Sequence, residues 1–261
     1  MSQLTFGDFR ARRSPEEILA DVLTLRRMHQ QKLLGGEIMP EDALRAVIPP
    51  AEIPDVVTLG MSLNYQRNSY SLWAAVARMY DDEEARWALN PLNCQTAEVN
   101  VLAATLLKYR VALQPNKHPQ IWWKVASSIA RFGGAINLIN LSGSEVARVR
   151  NLVCVEEKRS FPYLSGTKIF NYWLYVMEQY AGVRWIDRHE ISVAPDTHII
   201  KASVFLGLVE ETCLEGAELD RRRVAQAWQD VLRGSGLAPI DIHTPLWLWS
   251  RAGFPPLIAR V

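Results

Sequence analysis

A chain of 261 residues, 49% of them apolar, can bury one large core or two interlocked lobes, which excludes an intrinsically disordered protein. Its 29 Lys and Arg stand against 28 Asp and Glu, a formal net charge of +1. That balance excludes a uniformly basic nucleic-acid binder and leaves room only for a local basic face.

The predicted elements are helical almost throughout. Ser14-Pro15-Glu16-Glu17 reads as a capping box with Pro at the first helical position, opening a helix toward Gly35-Gly36. A short helix is expected from Glu41 to about Val47, then a Pro-rich connection through Pro49, Pro50 and Pro54. Further helices are expected over 68–80, 82–89, 96–113, 119–132, 144–153, 167–180, 197–207, 218–234 and 243–252. No alternating run is long enough for a strand. The tryptophans Trp122, Trp123, Trp173, Trp228 and Trp249 sit on apolar helices and read as core. Cys94, Cys154 and Cys213 are odd in number and far apart, so no zinc, iron–sulfur or disulfide framework is expected. His189 and His198 lack a ligand spacing, and neither metal nor cofactor is expected. No stretch of about eighteen apolar residues offers a membrane span. The start MSQLTFGDFRARRSPEE lacks an apolar signal core, so a cytoplasmic protein is expected.

Two stretches carry candidate chemistry. Ser165-Gly166-Thr167 is a turn and helix-start signal before the apolar run of Ile169, Phe170, Tyr172, Trp173, Tyr175 and Val176. Lys168 thus falls in the first turn of a buried helix. Loss of water and the positive end of the helix dipole both disfavour its charged form there, and a neutral lysine is a nucleophile. A lysine whose stem packs and whose head reaches water fits the same pattern. In Val193-Ala194-Pro195-Asp196, Asp196 suits an N-cap for the helix to Gly207. Capping alone explains it; beside a nucleophilic lysine, an ionised Asp also suits a transition state carrying positive charge, such as an oxocarbenium sugar.

GTKIFNYW followed by VAPDTHIIKAS resembles the signature of the helix-hairpin-helix (HhH-GPD) DNA glycosylase superfamily. There a hairpin leads to a lysine, and a V-D-x-H type segment follows after one helix. The interval here, 196 − 168 = 28 residues, leaves room for a helix of about 3.6 residues per turn and a loop. Ala227 to Arg251, AWQDVLRGSGLAPIDIHTPLWLWSR, is similar to the C-terminal end of the archaeal-type 8-oxoguanine DNA glycosylases, with their D-T-x-L-W-L-x-x-R pattern. The likeness covers roughly residues 150 to 252 and is looser before them. It implies an all-α, two-lobed glycosylase fold with a cleft between the lobes. Residues of about 40–150 and 150–261 would supply the lobes, with the helix near 14–35 on the C-terminal one. It implies a bifunctional DNA glycosylase and AP lyase, a monomer acting on double-stranded DNA that holds a damaged base. Lys168 and Asp196 are then the catalytic pair.

Two departures bear on substrate and grip. The hairpin is usually L-P-G-x-G; here Phe161-Pro162-Tyr163-Leu164-Ser165-Gly166 lacks the first glycine. An acidic residue usually helps to read the damaged guanine where His243 stands here, so His243 and Trp247 become the base-binding candidates and alkylated or deaminated bases stay open. Ser165, Gly166 and Thr167 are expected to face DNA at the hairpin. Gln66, Arg67 and Asn68 suit a loop filling the gap left by a flipped base, or an ordinary capped polar loop. Arg10-Ala11-Arg12-Arg13 and Arg221-Arg222-Arg223 are candidate phosphate contacts or plain solvated faces.

Overall fold

The computed structural model describes residues 13–35 and 39–257, and these residues form helices and connections without a strand. In chain order the helices are α1 (Pro15–Gln30), α2 (Asp42–Arg45), α3 (Ile53–Met61), α4 (Ser69–Asp81), α5 (Pro91–Thr96), α6 (Val99–Lys108) and α7 (His118–Arg131). They continue with α8 (Ala135–Leu141), α9 (Val146–Asn151), α10 (Thr167–Ala181), α11 (Thr197–Phe205), α12 (Glu218–Leu232) and α13 (His243–Arg251). None of these helices is long and apolar enough to cross a membrane. The chain is therefore all-α. It divides into two compact units, the first from the described parts of Met1–Glu37 and His189–Val261, the second Ile38–Arg188. The sequence reading expects a division near residue 150, and the two units meet at 188–189. The hairpin and α10 belong with the middle helices, because α10 is packed along α3.

In the first unit α1 opens as the sequence indicates. Ser14 Oγ accepts from Glu17 N–H (3.3 Å) and Glu17 Oε2 accepts from Ser14 N–H (3.0 Å). The helix stops at Gln30, short of the glycines, because Lys32 turns left-handed (φ +58°) and Leu33 N–H closes onto Met28 O (2.9 Å). Ile18, Val22, Leu25 and Met28 of α1 form one core with Ile199, Val224, Trp228, Leu246 and Trp249 of α11, α12 and α13. Trp228 is fully buried with its indole N–H satisfied by Ser203 Oγ (2.8 Å).

The second unit is built around α3, every residue of which is buried except the half-buried Asp55. A Pro-rich connection was the expectation here, and α3 corrects it. Pro54 falls in the first turn, where a missing N–H costs no helical hydrogen bond. Gly60 lets the chain pass against Trp73, since a Cβ there would lie 2.5 Å from the indole ring. Trp173 of α10 donates to Thr58 Oγ1 of α3 (3.0 Å), and Trp122 of α7 donates to Ala88 O (2.9 Å). The helix expected over 96–113 is shorter, ending at Lys108, and Arg110 turns left-handed (φ +60°). The segment expected as a helix over 82–89 is a turn and a 3₁₀ stretch, Arg86–Leu89. Of the five tryptophans read as core, Trp123 alone is half-buried.

Candidate functional site

The candidate residues fall in both units, and each group is described where it lies. In the first unit Asp196 caps α11. Its Oδ1 accepts from the N–H groups of His198 and Ile199, both at 2.9 Å. Its Oδ2 accepts from the indole N–H of Trp247 at 3.1 Å. Three N–H donors thus fix the direction of one half-buried carboxylate. The approach to it is fixed as well. Asp196 N–H closes a tight turn onto Ala194 O (2.7 Å), and Arg221 donates to Pro195 O (2.6 Å).

Trp247 is half-buried, with the Arg251 guanidinium 4.5 Å from its ring centroid and the His198 ring edge-on at 5.9 Å. His198 Nδ1 lies 3.2 Å from Ser250 Oγ, and burial lowers its proton affinity. His243 is buried, and its Nδ1 faces the amide of Ala194 at 3.4 Å. Its first observable task is therefore to steady the backbone two residues before Asp196, alongside the base-reading role expected of it. Each arginine of the 221–223 run has a local partner: Arg221 the Pro195 carbonyl, Arg222 Glu218 (3.4 Å) and Arg223 Asp220 (3.8 Å). Arg13 pairs with Asp21 (2.5 Å); Arg10, Ala11 and Arg12 lie outside the described residues.

In the second unit the hairpin is anchored by Phe161 and Leu164, both fully buried. Ser165 N–H bonds to Phe161 O (3.0 Å) and Gly166 N–H to Tyr163 O (3.0 Å). Gly166 is the exposed N-cap of α10, and a Cβ there would stand 3.2 Å from Tyr163 O. Thr167 is exposed, while Ser165 and Lys168 are half-buried, Lys168 being the second residue of α10. First-turn N–H groups of a helix have no intrahelical acceptor, which makes such an end receptive to an anion.

Tyr163 follows Pro162 where the resembled pattern has glycine, and it takes the left-handed conformation (φ +62°). That conformation costs a non-glycine residue about 1–2 kcal/mol. Its ring lies flat on that of Tyr65, centroids 3.8 Å apart and planes 4° from parallel. The Lys117 ammonium is 4.9 Å from the Tyr163 ring and 5.7 Å from that of Tyr65. Lys117 holds the Tyr163 phenol below its ordinary pKa, and burial pushes the Tyr65 phenol up to about 12.

Among the three loop candidates, Gln66 alone is both exposed and left-handed (φ +48°). Arg67 instead braces the loop, donating to Val111 O (2.7 Å) and Arg110 O (3.1 Å). Asn68 caps α4 by accepting from Ser71 N–H (3.1 Å). Both residues are thereby committed to holding the loop's shape.

The sequence reading missed Glu41. Its carboxyl is fully buried and accepts from Trp73 Nε1 (2.8 Å) and Tyr172 Oη (3.1 Å). Burial pushes it up to about 7. Tyr172 is one turn beyond Lys168 on α10, so this buried acid ties down the helix that carries the candidate nucleophile. Glu41-Asp42 reads as an ordinary acidic helix start, and nothing local signals its burial. Among the described residues no group of three or more His, Cys, Asp or Glu is arranged to hold a metal ion. The chain matches no protein-family model, no curated protein and no solved structure.

Proposed function

We propose that this protein is a bifunctional DNA glycosylase and AP lyase that removes a damaged purine, 8-oxoguanine first, from double-stranded DNA. The observation carrying the reading is the Asp196 carboxylate, aimed by two helix amides and the Trp247 indole. A plain helix cap needs no indole donor. A fixed negative charge of this kind suits a cationic sugar.

A duplex hides the glycosidic bond, so the damaged nucleotide is extruded from the stack. The Lys168 amine attacks C1′ as the C1′–N bond breaks, and the bonding pair leaves with the base, which takes a proton. Asp196 is the group assigned to steadying the positive charge on the sugar, and the proton that the attacking amine sheds passes to solvent. Opening of the sugar ring gives a Schiff base. Loss of a 2′ proton then expels the 3′ phosphate and nicks the strand. The exposed first turn of α10, beginning at Thr167, suits a backbone phosphate, which is consistent with a chain of net charge +1.

A second reading keeps this chemistry and changes the base to an alkylated or deaminated one. It is favoured by His243, which offers a buried imidazole where an acid is expected. Borohydride trapping on duplexes that each carry one lesion separates the readings. A covalent adduct on the 8-oxoguanine duplex, lost in Lys168→Gln, supports the first. Adducts with other lesions alone support the second. Binding without cleavage of any lesion overturns both in favour of a non-catalytic DNA-binding protein.

A further inference from the structure

Three separate segments of the second unit meet at one aromatic stack. Tyr65 comes from the loop between α3 and α4, Tyr163 from the hairpin before α10, and Lys117 from the segment that leads into α7. His118, the first residue of α7, adds its ring edge-on to Tyr65 at 5.6 Å, and its Nδ1 accepts from Leu113 N–H (3.1 Å). Arg67 then ties the Tyr65 loop to the carbonyls of Arg110 and Val111. Tyr163 enters this cluster only by taking a backbone conformation that favours glycine, and Gln66 beside Tyr65 does the same. Non-glycine residues persist in that region when surrounding contacts over-determine them. Here the surrounding contact is the stack itself.

We propose that Tyr163 is a positioning residue, whose ring clasps the 64–68 loop to the 161–166 hairpin so that the two loops move as one body. With glycine at 163 the backbone would be relaxed and the hairpin would fold, but the two loops would be independent. The clasp places exposed Gln66 at a constant offset from the exposed amide end of α10. Its use in gripping duplex DNA rests on the function proposed above; the mechanical coupling does not.

The test is amide hydrogen exchange on the full chain, read on both sides of the stack. Tyr163→Gly should speed exchange about tenfold at Asn64 and Ser71, whose amides bond at the two ends of the Tyr65 loop. Tyr65→Ala should speed exchange comparably at Ser165 and Gly166 in the hairpin. Tyr163→Phe keeps the stacked ring and should match the parent at both places. Unchanged exchange across the stack in either loosened variant overturns the proposal. Glycine fits φ +62°, so Tyr163→Gly is expected to stay folded, and an unaltered circular dichroism spectrum checks this. Affinity for a lesion duplex should fall about tenfold in Tyr163→Gly with single-turnover cleavage at saturation unchanged. Faster exchange with unchanged affinity overturns the clasp's role in binding. If the parent protein binds no duplex, the proposed function fails while the exchange result still decides the coupling.

Discussion

The Asp196 carboxylate and the Lys168 hairpin are positioned by opposite means. Asp196 is aimed by hydrogen bonds: two amides of its own helix and an indole from α13, on a backbone steadied by Arg221 and His243. The hairpin is held by packing: buried Phe161 and Leu164 below, and a strained tyrosine stacked across a loop boundary above. Hydrogen bonds fix direction, which a charge-stabilising group needs. Packing fixes place, which suits a phosphate-gripping turn. A substitution should therefore disturb direction in the first region and stability or loop coupling in the second.

The sharpest break is Asp196→Asn. Asn still caps a helix, so stability should change by less than about 0.5 kcal/mol. Loss of the charge should slow base excision roughly 10²–10³-fold, measured in single-turnover assays. A comparable loss of stability, or an unchanged rate, would place Asp196 among purely structural caps.

Glu41 should give the largest purely structural effect. It binds its proton more tightly in the folded protein than in the unfolded chain, where its value is near 4.5. Its contribution to stability is thus full below about pH 4.5 and declines as pH rises through about 7, by on the order of 3 kcal/mol. Urea midpoints across that window should fall for the parent and fall less for Glu41→Gln. Parallel curves would show that the carboxyl does not titrate there. Gly60→Ala, which presses a methyl group into the Trp73 ring, should cost about 1–3 kcal/mol in the same assay. The smallest effect is expected from Trp247→Phe, which keeps a ring and removes one hydrogen bond to Asp196. Excision should slow about fivefold to tenfold, with the folding midpoint lowered by about 1 kcal/mol or less.

What could be read from the chain was local. The Ser14 capping box, the Asp196 cap and the start of α10 each lie within four residues of sequence and carry their own chemistry. Distant pairings were not legible. Trp247 is 51 residues from the carboxylate it bonds, and Tyr65 lies 98 positions before Tyr163 (163 − 65), with no periodicity to link them. Tyr172 reaches Glu41 across 131 residues, and an acid beside another acid reads as surface. α3 was hidden because Pro54 reads as a breaker unless its place in the first turn is known. The grouping of α10 with the middle helices was not legible because its contact with α3 joins segments more than a hundred residues apart.

The central claim is that the Lys168 amine forms the covalent bond to the sugar. Reduction of the protein with borohydride on an 8-oxoguanine duplex, followed by protease digestion and mass spectrometry of the DNA-linked peptide, tests it most directly. The expected result is a single modified lysine, Lys168. Attachment at another residue, or nicked DNA with no adduct on any peptide, would contradict it.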